Sequence, residues 1–405
     1  MDLRFPLILD GATGTQLQKR GYAGDISAEE WVLEHPESIL EIQRAYVDAG
    51  SQVLYTPTFS ANRFKLEEQK IFNRTAEINR KLAALSKQAA DGRALVAGDM
   101  APTGRFLAPI GDASFEELVD IYTEQALGLE QAGVDLFVIE TMMSLSDARA
   151  AVLAVRSVSE KPIFVTFTSS ESGRSLTGTD MAAALTVMQG MGVSAFGLNC
   201  SMGPDKMVPQ LKRLRRYARV PLIAKPNAGL PNFVDGKAVY DCPPERFVEY
   251  VPQFIEAGVA IFGGCCGTEE GHIEALKKAL EGAEYNRPNP EFTDMLPATT
   301  GTELAYLKPD AGHGKVLAAD ENFESALEDA MAEEWPMVAV KIADWADVET
   351  LCDYQHMINK ALCVVCDDEE LLEAVLRAYQ GRALYEGNLS DKELSKLEEK
   401  YGLIV

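Results

Sequence analysis

Positive charge is what this sequence has least of. Lysine and arginine number 38 against 62 aspartates and glutamates, a net charge of −24, and the pI is near 4.6. Such a chain is repelled by phosphate backbones and anionic headgroups, so neither nucleic acid nor a membrane is an expected partner. No run approaches the eighteen or so apolar residues that a membrane helix requires. The start, Met1-Asp2-Leu3-Arg4-Phe5-Pro6, has no basic segment followed by a long apolar one, so a cytoplasmic location is expected. A disulfide framework is missing too, because seven cysteines in 405 residues form an odd and sparse set.

The composition is that of a globular protein, 47% hydrophobic and 25% charged. The length suits a large domain and a small one. Residues 1–285 repeat one pattern: a continuous apolar run, a polar or glycine-rich segment, then a helical stretch. The runs fall at 6–9, 52–55, 94–97, 136–139, 163–167, 195–198, 222–224 and 259–262. Helices fit 36–48, where Pro36 opens and Gly50 closes, and 73–90. Another begins at Ser114, with Glu117 three residues on. Continuous apolar strands are buried on both faces, as in a parallel sheet. Eight such units predict a (β/α)₈ barrel, whose active site lies on the rim after the strands.

Two segments on that predicted rim carry thiols. Cys200 follows the sixth run, and Cys265-Cys266 follow the eighth between Gly263-Gly264 and Gly267. Neighbouring side chains in a strand point to opposite faces, so only glycine-assisted turning brings both vicinal sulfurs to one side. The three thiols then read either as small buried hydrophobes or as three ligands of a soft metal with one open position.

Residues 286–300, rich in proline, read as a linker. Beyond it, strand-like runs at 316–318, 337–342, 361–366, 383–385 and 403–405 alternate with helical stretches such as 367–379. Residues 301–405 are therefore a smaller α/β domain with too few strands for a barrel. Cys363 and Cys366 lie inside one of those runs, with no second pair, and read as structural.

Asp10-Gly11-Ala12-Thr13-Gly14-Thr15, Gly197-Leu198-Asn199-Cys200-Ser201 and Gly263-Gly264-Cys265-Cys266-Gly267 together resemble the homocysteine S-methyltransferase family. Within it, they are most similar to the homocysteine domain of cobalamin-dependent methionine synthases. Ser175-Leu176-Thr177-Gly178-Thr179-Asp180 and Pro226-Asn227-Ala228-Gly229 support the likeness. It covers 1–285 in order and implies a TIM barrel with one catalytic zinc on Cys200, Cys265 and Cys266. It also implies homocysteine as substrate and methionine as product. Glu140 would face the substrate ammonium, the backbone at Gly11 and Ala12 beside Asp10 would face the carboxylate, and Asn227 would cap the open metal position. Zinc suits this chemistry, since it ionises a coordinated thiol that is otherwise protonated at neutral pH.

The methyl donor implied is a methylated corrinoid on a separate protein, or a small molecule such as S-methylmethionine or betaine. The tail around Val375–Tyr385 resembles a fragment of the folate domain of those synthases. However, Val365 and Glu386 stand where that domain has aspartate and asparagine, and Asp310-Ala311-Gly312-His313 lacks the cobalamin spacing. The tail is expected to serve docking or homo-oligomerisation. Two alternatives stay open: a methyltransferase acting on another thiol or selenol, and a non-catalytic subunit of a corrinoid methyl-transfer complex.

Overall fold

The computed structural model describes residues 3–68, 74–107, 110–234, 237–285 and 287–405. Asn73, the expected start of one helix, and Asn286, the first residue of the expected linker, lie outside them. The chain divides into two compact units. The first comprises Met1–Leu176, Ser194–Arg215 and Arg219–Asn289, and the second Thr177–Val193, Arg216–Ala218 and Pro290–Val405.

Eight parallel strands make the sheet of the first unit. They are β1 (Leu7–Ile8), β2 (Val53–Tyr55), β3 (Leu95–Met100), β4 (Leu136–Met142), β5 (Ile163–Phe167), β6 (Ala195–Asn199) and β7 (Leu222–Lys225). After a short antiparallel hairpin, β8 (Asn232–Val234) and β9 (Lys237–Val239), the eighth barrel strand is β10 (Val259–Phe262). The order β1-β10-β7-β6-β5-β4-β3-β2 is the sequential winding of a TIM-like α/β barrel. Gln52 completes the circle between β1 and β2. Its N–H donates to Ile8 O at 2.7 Å, and its Oε1 accepts from Ile8 N–H at 2.9 Å.

Leu7, Val53, Leu136, Phe164, Ala195 and Ile261 are among the side chains that fill the core. Their strands are apolar throughout because both faces are covered, the inner by this cluster and the outer by helices. The helix Pro36–Ala49 begins at Pro36 and ends where Gly50 takes φ 119°. At Ser114, Oγ accepts from Glu117 N–H at 3.1 Å.

Four strands run past the apolar stretches that mark them in the sequence. β3, β4, β6 and β7 take in Asp99, Glu140, Asn199 and Lys225. Backbone pairing does not depend on the side chain, so the ladder continues into residues whose polar groups serve the mouth of the barrel. The hairpin β8–β9 has no counterpart in the expectation, because its strands are three residues each.

The second unit holds a parallel sheet of β11 (Leu317–Ala318), β12 (Met337–Lys341), β13 (Ala361–Val365) and β14 (Leu384–Glu386) in that order. One face packs on its own chain: Ala298, Leu307, Ala311 and Val316 lie against Met337, Ala339, Cys363 and Leu384. The stretch read as a linker enters this core, where Ala298 and Thr299 are fully buried. The strand expected at 403–405 is a single bridge between Leu384 and Ile404. Cys363 and Cys366 are buried, and the Cys366 thiol donates to Asp368 O at 3.3 Å. Among the described residues, no helix is long and apolar enough to cross a membrane.

Candidate active site

The three thiols meet. Cys200 follows β6 directly, held in the left-handed region at φ 58°, and Ser201 follows at φ 59°. Its N–H donates to Lys225 O at 3.2 Å, tying the turn to the end of β7. The vicinal pair follows β10, where the chain leaves strand geometry step by step. Gly263 N–H donates to Ala224 O at 3.0 Å, Gly264 N–H to Asp10 O at 3.1 Å, and Cys265 N–H to Pro226 O at 2.8 Å.

The glycines here are required. A Cβ on Gly264 would lie 2.3 Å from Thr268 Oγ1, and one on Gly267, at φ 81°, would lie 2.3 Å from the Tyr240 ring. Cys200 Sγ and Cys266 Sγ are 4.0 Å apart. The three sulfurs all lie within 4.8 Å of one another, a group that could hold a metal ion.

So close together, the thiols resist ionisation. For Cys200, a hydrogen bond with Cys265 pulls downward, but the bond with Cys266 and burial outweigh it and lift the thiol to about 11. Cys266 shows the same balance, lowered by Cys200 but lifted by Cys265 and burial to about 11. Cys265, hydrogen-bonded by Cys200, is pushed up as well. A divalent cation reverses this order, because thiolate is the form that coordinates.

A cavity of about 270 Å³ opens on the sulfurs. Its wall includes Asp10, Gly11, Ala12 and Glu140 with all three cysteines, so most of the expected site residues are brought together. Their roles within it differ in detail. Asp10 is 1% exposed; its Oδ2 accepts from Tyr55 N–H at 2.7 Å. Burial lifts its carboxyl to about 6, against the pull of Lys225.

Gly11 packs under Tyr46, where a Cβ would come within 2.7 Å of the ring. Ala12 has both backbone groups engaged within the protein: its N–H donates to Thr268 Oγ1 at 3.1 Å, and its O accepts from Tyr46 Oη at 2.7 Å. Asn227 is not on this cavity wall. Its backbone lies beside the pair, since Ala228 N–H donates to Cys266 O at 2.9 Å. Its Oδ1 is buried without a hydrogen-bond partner.

Sequence reasoning passed over four residues here. Lys225, buried, sets its ammonium 3.5 Å from Asp10 Oδ1 and 3.8 Å from Glu140 Oε2, and 4.4 Å from the Tyr55 ring centroid. Asn199 Nδ2 donates to Thr141 Oγ1 at 2.7 Å and to Glu140 Oε2 at 3.3 Å, and lies 3.9 Å from Cys265 Sγ. Asp99 is buried on the cavity wall. Tyr240, just past β9, packs its ring against Gly267 beside the vicinal pair. The signal for the first three was a polar residue within a few positions of the end of an apolar run. Tyr240 carries none.

Fold and site together define a (β/α)₈ barrel with a three-thiol group at the mouth of its cavity. A model of the homocysteine S-methyltransferase family matches residues 7–280, and the chain belongs to that family. Methionine synthase of Mycobacterium tuberculosis is 35% identical over 300 residues, which is 70% of this chain and 25% of that protein. The methionine synthase of Mycobacterium leprae is 33% identical over 292 residues, 68% of this chain and 24% of that one. The match thus takes in about a quarter of each relative's length. Among solved structures, the metallated form of the homocysteine methyltransferase MmuM from Escherichia coli superposes with a TM-score of 0.59 at 27% identity. That superposition covers 67% of this chain and 95% of MmuM. Its oxidized form gives 0.58 at 26% identity, with the same coverage.

Proposed function

We propose that the chain transfers a methyl group to the thiol of homocysteine, forming methionine, with zinc held by Cys200, Cys265 and Cys266. The observation that carries this reading is the convergence of three sulfurs within 4.8 Å on the wall of a cavity in a barrel of this family. Tetrahedral zinc with bonds of about 2.3 Å wants sulfurs roughly 3.8 Å apart, and the 4.0 Å between Cys200 and Cys266 fits. That the homocysteine methyltransferase MmuM has a metallated form supports a metal here as well.

When bound, the metal supplies an open coordination position where a substrate thiol ionises near neutral pH and stays nucleophilic. The chain's own groups do the rest. Asn199 steadies Cys265 and Glu140 from one side chain, joining the sulfur site to the acidic wall. Glu140 faces the substrate ammonium, and the segment Gly11–Thr15 receives its amino-acid end.

The donor is a methylated corrinoid on a separate protein or a small methyl donor such as S-methylmethionine or betaine. Residues 1–285 carry the chemistry, while 301–405 provide docking or self-association. A reducing cytosol would keep the thiols free.

The test is to purify the wild type and Cys200→Ala with zinc, and to assay homocysteine against methylcobalamin, S-methylmethionine and betaine. Methionine formation with at least one donor, lost together with zinc in the variant, is expected. Turnover by the zinc-free variant overturns the mechanism, and preference for another thiol or selenol overturns the substrate.

A further inference from the structure

The cavity wall carries more buried acid than the protein neutralises. Asp10, Glu140 and Asp99 share it with one ammonium, that of Lys225. Lys225 is committed to Asp10 and Glu140, at 3.5 and 3.8 Å. Asp10 is held further by Tyr55 N–H and Glu140 by Asn199 Nδ2.

Asp99 is different. Its residue is 4% exposed, yet its Oδ1 has no hydrogen-bond partner. Its backbone is fixed on both sides, with N–H donating to Thr56 Oγ1 at 2.9 Å and O accepting from Thr58 Oγ1 at 2.6 Å. A buried carboxylate oxygen without a partner is costly. At a ligand cavity, the simplest relief is a cation that the ligand brings.

We propose that Asp99 is a specificity-determining residue that accepts the ammonium of the amino-acid substrate and shares it with Glu140, while Lys225 holds Asp10. This rests on the homocysteine reading and adds to it, because the family resemblance places only Glu140 at that ammonium. Three of the four acids on the wall then share two ammonium groups, one from the protein and one from the substrate.

The electrostatics run in the same sense. Burial and then the charge of Glu140 push the Asp99 carboxyl well up, while Lys225 pulls it down. A second ammonium acts as Lys225 does. Two other acids on this wall have an oxygen without a hydrogen bond, and both are separate cases: Asp10 Oδ1 faces the Lys225 ammonium at 3.5 Å, and Glu29 holds its other oxygen, Oε1, on Ser60 N–H at 2.7 Å.

Calorimetric titration of the zinc-loaded protein with homocysteine and with 4-mercaptobutanoate, the same skeleton without its amine, tests the assignment. Asp99→Asn should weaken homocysteine binding at least tenfold and leave 4-mercaptobutanoate within twofold. Asp99→Glu, which keeps the charge, should restore part of the preference for the amine. Zinc content and melting temperature confirm that the variants are folded. Equal losses for both thiols, or an unchanged preference for homocysteine, overturn the proposal. If Asp99→Asn does not fold, Asp99→Glu decides alone, since moving the charge by one methylene must change the ratio of the two affinities. A wild type that binds both thiols, with variants that keep its preference for homocysteine, refutes only this inference. A wild type that binds neither refutes the functional reading and this inference with it.

Discussion

Lys225 and Asp10 form an ion pair inside the barrel, 3.5 Å apart, with side chains 5% and 1% exposed. They join the end of β7 to the loop after β1, and Glu140 on β4 shares the same ammonium at 3.8 Å. Removing one partner of such a pair leaves buried charge uncompensated.

Lys225→Met is therefore expected to destabilise the protein by about 3 kcal/mol at pH 8. The loss should shrink on acidification. Burial already lifts Asp10 to about 6 while Lys225 restrains it, so without Lys225 the carboxyl rises further. The folded variant then binds protons at pH values where the unfolded chain, with carboxyls near 4, does not. Its stability falls as pH rises above about 4. Urea denaturation of both proteins at pH 5 and pH 8 checks this; a gap that is constant or narrower at pH 8 would refute it.

Backbone strain gathers at the same mouth. Thr141, Cys200 and Ser201 take φ of 60°, 58° and 59°, a region that costs non-glycine residues about 1–2 kcal/mol each. Ser201 is exposed, so its side chain is not what holds it there. Ser201→Gly should raise stability by about 1 kcal/mol while loosening the Cys200 turn. The expected result is a higher melting temperature together with weaker zinc retention against a chelator. A variant that melts higher and keeps zinc as tightly would show that the strain does not preorganise the sulfur.

The barrel was legible because its strands are buried on both faces, and unbroken runs such as Ile163–Phe167 announce themselves. The sulfur site was legible because thiols flanked by glycines after two such runs need a reason to converge. The acidic wall was less so. Asp99 and Lys225 look like the first residues of loops, and only the parallel ladder shows them to be strand residues of the mouth. Which side chains meet at that mouth depends on which strands are neighbours across the circle, and spacing along one chain does not encode this. In the second unit, residues 403–405 have a strand's composition but find one pairing position, at Leu384.

Gly197 is a test of close packing inside the sheet. A Cβ there would lie 2.1 Å from Ile223 O and 2.6 Å from Ile223 Cβ, and β6 and β7 are paired at this position. Neither contact is the end of a flexible side chain, so the strands must separate. Gly197→Ala should cost about 3 kcal/mol and lower zinc content, because Cys200 is three residues further on. Gly271→Ala is the control. Its nearest atom would be Pro244 Cγ at 3.5 Å, and in the helix Glu270–Ala279 alanine should be neutral or stabilising. Equal melting temperatures for the two variants would sink the argument.

Asp147 gives a pH signature away from the sulfurs. It is 3% exposed, and its Oδ1 accepts from Tyr122 Oη at 2.9 Å and from Thr103 Oγ1 at 3.3 Å. Burial lifts the carboxyl to about 7 even though both hydroxyls favour the anion. With an unfolded value near 4, the folded state holds an extra proton between about pH 4 and 7. Stability from this group is therefore fully present below pH 4 and declines as pH rises through 7. Asp147→Asn keeps the acceptor oxygen and removes the ionisation. The variant should match the wild type at pH 4 and exceed it at pH 8 by about 4 kcal/mol, at roughly 1.4 kcal/mol per pH unit. Chemical denaturation across that range measures the difference directly. A variant that is less stable at pH 8, or a difference that does not change with pH, would mean that Asp147 is ionised in the fold with a partner that compensates it.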